Sequence, residues 1–356
     1  MDAMPRRAFL RGIGLAAAAA ACSGNGSPRR VSSPSPAPTA PAGSPTATAT
    51  ALPASWRRIE ASGPSARRDA TLTGDPARGA AYLFGGRSGS GTSLGDLWVY
   101  DVAGGAWRKV DASEGPGPRF GHNAGMVGGK LVVFAGQGGP TTFFNDLYTF
   151  DPDVGRWSKG AAGNAPAKRY GSGDAVVDDR LLISHGFTNS GRFDDTWTWS
   201  GSWSDASPGS GVRPVKRCLH RSAWWPERNV VALFGGQTDG TPFLNDFWLY
   251  DPAAKTWTKA EPGTLPGPRT LFGMVALAGR LWVWSGFSPG GQVGDMWWID
   301  DPAKPWQMQS FPDGQAPGPR GGIAAAAVSD GEALMFGGRV GDTDLDELWS
   351  FRPGPA

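Results

Sequence analysis

The chain has 356 residues, 54 of them Gly, 31 Pro and 17 Trp, with a formal net charge of +2. So balanced a charge gives no electrostatic reason to expect nucleic acid as a partner, and glycine and proline at this density argue against long helices. What remains is a chain of many short strands joined by turns, long enough for one large domain or two smaller ones.

The first 22 residues read as an address. PRRAFLRG, over residues 5–12, resembles a bacterial twin-arginine export signal. The apolar stretch over 12–21 falls short of the roughly 20 residues a membrane-spanning helix needs and reads as a signal h-region. It ends in AAAC, which resembles a lipobox and implies lipidation at Cys22, although Ala19 stands where such motifs more often carry Leu. The competing reading is ordinary signal cleavage beside a chance cysteine. Residues 23–54 are rich in Pro, Ser, Thr and Ala and bury no core, so a stiff disordered tether is expected. These features predict an exported cell-membrane lipoprotein facing the periplasm or cell exterior, with a domain held off the membrane. Cys218 would then be the one mature cysteine, which allows neither an internal disulfide nor a zinc framework.

From residue 55 a unit of about fifty residues recurs. Apolar runs end in Gly at Gly86, Gly136, Gly186, Gly236, Gly286 and Gly338. An acidic residue and an aromatic follow each: Asp96/Trp98, Asp146/Tyr148, Asp195/Trp197, Asp246/Trp248, Asp295/Trp297 and Glu347/Trp349. A second tryptophan comes next in five units, at Trp107, Trp157, Trp203, Trp257 and Trp306. An arginine opens every unit, at Arg67, Arg119, Arg169, Arg217, Arg269 and Arg320. Runs such as LVVFAG suit strands buried on both faces. DLWVYD alternates and suits a strand with two unlike faces, and DP at 151–152 and 251–252 starts a turn.

Period, paired glycines, aromatic strand and later Trp together resemble the kelch repeat, over residues 55 to 352. The resemblance implies an all-β fold: a six-bladed kelch β-propeller with four antiparallel strands per blade, as in galactose oxidase and its kelch-like relatives. The last unit lacks its outer-strand Trp, because the chain ends in a short tail, 353–356. SWRRIE at the start (Ser55 to Glu60) matches AWRKV at 106–110. The N-terminal strand is therefore predicted to complete the last blade and close the ring.

In such a blade the strands run a, b, c, d from hub to rim, and the d–a and b–c loops share one face. The first b–c residues are Arg87, Gln137, Phe187, Gln237, Phe287 and Arg339, with Phe143, Phe144, Arg192, Phe193 and Phe243 further out. Guanidinium, amide and aromatic groups around a channel mouth suit a protein or peptide ligand, or a carbohydrate. The repeated arginines are expected to serve the fold. Residues that break the repeat (Arg87, Arg192, Arg339 and the loop phenylalanines) are the better ligand contacts.

No catalytic residue, cofactor or metal is assigned. His122 and His220 occupy equivalent repeat positions, and His185 lies in a b strand. A galactose-oxidase-like copper enzyme and a sugar-modifying enzyme of the sialic acid epimerase kind stand as alternatives to a monomeric binding module at the cell envelope. A buried acid facing an arginine or histidine across the channel would favour an enzyme. Asp174, Arg221 and Glu227 are irregular, with no placement legible from the repeat.

Overall fold

The computed structural model describes residues 54–354 apart from 90 and 162. The predicted export signal, Cys22, all but the last residue of the predicted tether and the tip of the tail lie outside the described residues. The rest forms six four-stranded antiparallel sheets arranged as the blades of a propeller. The b strands are buried along most of their length. Ala80–Phe84 and Glu332–Phe336, for example, expose no residue, because each b strand is pressed between two neighbouring blades. The c strands depart from the expected alternation. Leu97–Asp101 buries Leu97 and Tyr100 and half-buries Trp98 and Val99 between them.

The outer-strand tryptophan of each blade bridges to the blade before it. Trp107 meets Phe336 at 5.5 Å between ring centroids, Trp157 meets Phe84 at 5.5 Å and Trp203 meets Phe134 at 4.4 Å. Trp306, just ahead of the strand Gln307–Gln309, meets Phe234 at 5.9 Å. In the third blade Ser184 stands where the others carry an aromatic. His185 turns in instead, at φ +60°, and packs against Trp257 at 5.9 Å. Each such ring contributes roughly 1.5–3 kcal/mol of apolar burial.

The ring closes as the sequence predicts. Ser55–Ile59 pairs antiparallel with Leu348–Arg352, in the register Ser55↔Arg352 through Ile59↔Leu348; Glu60 lies just past the strand. Trp56 then takes the outer-strand role of the sixth blade, 5.6 Å from Trp284 of the fifth. Glycine at the b-strand ends permits the blades to approach. A Cβ on Gly85 would lie 2.5 Å from the Arg119 carbonyl oxygen of the next unit.

Candidate functional site

The repeat's arginines are fully buried struts. Each pairs with the acidic residue of its own unit: Arg67–Asp96 and Arg119–Asp146 at 2.7 Å, Arg169–Asp195 and Arg217–Asp246 at 2.6 Å, Arg269–Asp295 at 2.8 Å and Arg320–Glu347 at 2.7 Å. Nη1 of Arg217 also donates to the Gly235 carbonyl at 2.9 Å, and Nε donates to that of Val215. The following tryptophan donates to the same carboxylate, as Trp248 does to Asp246 at 2.7 Å. Burial alone would raise the Asp246 carboxyl. Hydrogen bonds and charge from Arg217, with Trp248, outweigh it and hold the group below its usual range. Asp96, Asp195, Asp295 and Glu347 behave alike. Asp246→Asn keeps the shape but leaves the Arg217 guanidinium without its counter-charge. It is expected to cost about 2 kcal/mol in chemical denaturation, and an unchanged midpoint would refute the strut role.

Around these struts the loop face is built in concentric rings. The residue after each strut arginine forms a β-bridge with the first residue of the b–c loop: Arg68↔Arg87, Phe120↔Gln137, Tyr170↔Phe187, Cys218↔Gln237, Thr270↔Phe287 and Gly321↔Arg339. Six of the seven candidate residues thus occupy equivalent positions around one circle. The seventh, Arg192, is the cross-strand partner of Phe187 in a small two-stranded ribbon.

Their chemistry is not equivalent. Arg87 donates to Asp69 at 2.7 Å, Arg339 to Asp342 at 2.6 Å, and Arg192 to Asp239. Gln137 folds back on the Gly139 carbonyl. Gln237 reaches the Cys218 sulfur, and Phe287 lies over Gly321. Phe144 and Phe193 stack on the strut guanidiniums of Arg119 and Arg169, at 4.2 and 4.3 Å, and so belong to the frame.

One sector stands out. Phe120, Phe143, Tyr170 and Phe187 form an edge-to-face cluster with centroids 5.7–6.5 Å apart. Arg87 stacks on Phe120 at 4.6 Å, and Arg192 on Phe187 at 5.2 Å. Burial pushes the Tyr170 phenol up. Phe120 and Tyr170 were not among the candidate residues, yet both directly follow a strut arginine, in RFG and RYG.

The channel mouth on this face is narrowed by the backbone itself. Six backbone amides donate in a closed circle. Asp69 N bonds Gly322 O, Gly322 bonds Leu271, Leu271 bonds Leu219, Leu219 bonds Gly171, Gly171 bonds Gly121, and Gly121 bonds Asp69, at 2.7–3.2 Å. All six residues sit in the left-handed region, at φ between 53° and 72°. That conformation turns each N–H toward the neighbouring blade. A ligand on this face therefore rests on the loops above a hydrogen-bonded collar.

Below the collar the six inner strands enclose a channel of about 410 Å³. The two irregular charges line it. Asp174 accepts from the Ala124 amide at 2.9 Å and from Asn123 at 3.2 Å, both in the second blade. Arg221 donates to the Phe272 and Ile323 carbonyls of the fifth and sixth blades, at 2.9 and 3.1 Å. Glu227 lies apart, in a short turn of 3₁₀ helix, Pro226–Arg228. His122 Nε2 is 2.7 Å from the Thr71 hydroxyl, and His220 Nε2 accepts from the Gly173 amide at 3.0 Å. Among the described residues, no three His, Cys, Asp or Glu side chains gather as metal ligands.

Comparison with known proteins agrees with this architecture. The profile of the KLHDC2/KLHL20/DRC7 Kelch-repeats domain matches residues 51–202 and 198–355. An F-box/kelch-repeat protein of Arabidopsis thaliana is 30% identical over 190 residues, 47% of this chain and 38% of that protein. The dynein regulatory complex subunit 7 of Chlamydomonas reinhardtii is 33% identical over 85 residues, 24% of this chain and 7% of the other. The host cell factor homolog of Caenorhabditis elegans is 24% identical over 146 residues, 39% of this chain and 18% of the other. The chain thus matches well under half the length of these relatives. With its repeats, its closed ring and this profile in agreement, the chain belongs to the kelch-repeat propeller family.

Proposed function

We propose that this propeller is a protein-docking module that takes an acidic, partly apolar peptide segment on its loop face, and that it is exported and held at the cell membrane through Cys22. The observation that carries the reading is the aromatic cluster of Phe120, Phe143, Tyr170 and Phe187 flanked by Arg87 and Arg192. The half-buried rings of Tyr170 and Phe187 offer contact area at little entropic cost, backed by the buried Phe120 and Phe143, and the half-buried Arg87 guanidinium stacked on Phe120 remains a donor for a carboxylate. Arg87 and Arg192 hold Asp69 and Asp239 here, so an acidic ligand would replace an intramolecular carboxylate with its own. The relatives' names point the same way, one being a subunit of a regulatory complex. The copper-enzyme alternative gains no such support, since His122 and His220 are engaged in bracing contacts with Thr71 and Gly173; the sugar-modifying alternative stands as a second reading, because Asp174 and Arg221 face the channel from opposite sides.

Selection from a random peptide library on the immobilised chain tests the docking reading. Enriched peptides are expected to be acidic with at least one aromatic or aliphatic residue. Phe187→Ala and Arg87→Ala should each weaken them about tenfold or more, and added salt should weaken them further. Equal binding by both variants, or binding of neutral glycans instead, would remove the proposal. Membrane attachment is tested separately. Cys22→Ala is expected to move the protein from the membrane fraction to the soluble one, and an unchanged distribution would refute the anchor.

A further inference from the structure

The channel is a well with two opposite charges near its narrow end. Ala70, Phe272 and Ile323, next to the collar, are buried, whereas Gly74, Met126, Val176, Trp224, Ala276 and Ala327, four positions further along each inner strand, are all half-buried. The well is therefore narrowest at the loop face, at the amide circle, and widens toward the opposite face, among the a–b turns. On one side its wall is small, the run Ala324–Ala327 contributing only methyl groups.

Arg221 and Asp174 stand at adjacent inner-strand levels near the narrow end and reach to opposite sides of the axis. Arg221 is tied to the fifth and sixth blades, and Asp174 to the second. Among the described residues no ion pair joins them, and neither has another charged partner within ion-pair distance. Arg221 bonds two carbonyls through Nε and Nη2, leaving Nη1 without a protein acceptor. Asp174 accepts from Asn123 and the Ala124 amide on Oδ2, and among the described residues no other residue donates to Oδ1. Burial pushes the Asp174 carboxyl up and the Arg221 guanidinium down, and the attraction of each for the other, with that of Asp69 for Arg221, offsets this only in part. Holding both charges in a cavity without direct pairing is costly unless something completes them.

We infer that the well binds a small zwitterion of amino-acid size, with its carboxylate on Arg221, its ammonium on Asp174 and its side chain toward the open end. A ligand with both charges satisfies the free guanidinium nitrogen and the free carboxylate oxygen together, which a simple anion or cation cannot do. This site lies on the far side of the collar from the docking face and does not depend on it.

Isothermal titration of the full chain with glycine, serine, glutamate and lysine tests the inference, with acetate, methylamine and glucose as controls. At least one amino acid is expected to bind, with acetate and methylamine tenfold weaker or worse. Arg221→Gln and Asp174→Asn should each reduce affinity about tenfold to a hundredfold, the range for a lost charged hydrogen bond. Ala276→Trp, at the open end, should block entry while leaving both charges in place, and Phe187→Ala should change nothing. Absence of amino-acid binding, glucose binding as tight as the best amino acid, or binding retained in both charge variants would overturn the proposal. If the charge variants fail to fold, undiminished binding by Ala276→Trp overturns it alone.

Discussion

Trp56→Ala lowers the stability of the propeller by about 3–5 kcal/mol, the cost of emptying a large aromatic site in a core. Trp56 is 9% exposed and packs on Trp284 of the fifth blade and Phe351 of the sixth, 5.6 and 4.9 Å away. Its strand is also the covering partner of Leu348–Arg352. Removing residues 55–59 altogether should do more, because Leu348–Arg352 then becomes an open edge with Trp349 and Phe351 beside it. Such an edge invites pairing between chains, so the truncated protein is expected to aggregate at concentrations where the intact one is soluble. Arg57→Ala, at an exposed position of the same strand, serves as the control and should stay within 0.5 kcal/mol of the parent, about the range for surface changes. A Trp56→Ala protein with unchanged denaturation and no aggregation would mean that the ring is held closed by other means.

The second large effect is loss of stability in mild acid. His122 and His185 are buried deep between blades, and burial presses their pKa values down to about 3; His220 is lowered in the same way. Neighbouring arginines add to the effect, Arg119 beside His122 and Arg217 beside the other two. In the unfolded chain each histidine titrates near its ordinary value of 6.5. The unfolded chain therefore takes up protons that the folded one refuses. This contribution to stability is fully present above pH 6.5 and declines as the pH falls from there toward 3. His122 and His185 alone bring the slope to about 3 kcal/mol per pH unit and the loss between pH 7 and pH 5 to about 4 kcal/mol, and His220 adds in the same direction. The strut carboxylates add their own loss only at lower pH, since they are held below the usual carboxylate range. Urea denaturation at half-unit steps from pH 7.5 to 5 checks the prediction. A midpoint independent of pH across that range would show that the histidines are accessible to protons in the folded state.

Much of this architecture was legible because each blade repeats the same physical solution. The strut arginine, its acidic partner and the aromatic recur at fixed spacing, so they announced themselves as frame, and the bidentate pairs bear that out. The match between residues 55–60 and 106–110 was enough to predict closure. The amide collar was not legible. Gly121, Gly171 and Gly322 carry the glycine that a left-handed conformation favours, but Asp69, Leu219 and Leu271 adopt it at φ 57°, 59° and 53° with ordinary side chains. Half of the circle therefore carries no sequence signal, and its hydrogen bonds exist only once all six blades converge. The same limit applies to Asp174 and Arg221. Both were visible as departures from the repeat, but their meeting in one channel depends on how the inner strands face the axis. His185 illustrates a third case: it stands one position beyond the missing aromatic, and only the backbone turn at that residue brings its ring into the gap.

Closure of the ring locates every face and site described above, so it is the claim to test most directly. Ser55 and Arg352 face one another across the closing pair, and both are exposed. Opposed residues on paired strands lie at Cα separations of roughly 4.5–5.5 Å, within reach of a disulfide. The double variant Ser55→Cys with Arg352→Cys, oxidised mildly and read by mass spectrometry and non-reducing electrophoresis, is predicted to cross-link within the monomer. The cross-link should also raise the denaturation midpoint, by an amount equivalent to about 4 kcal/mol or more for so long a loop. A folded double variant whose two thiols stay free, or bridge only between molecules, would contradict the closed six-bladed ring.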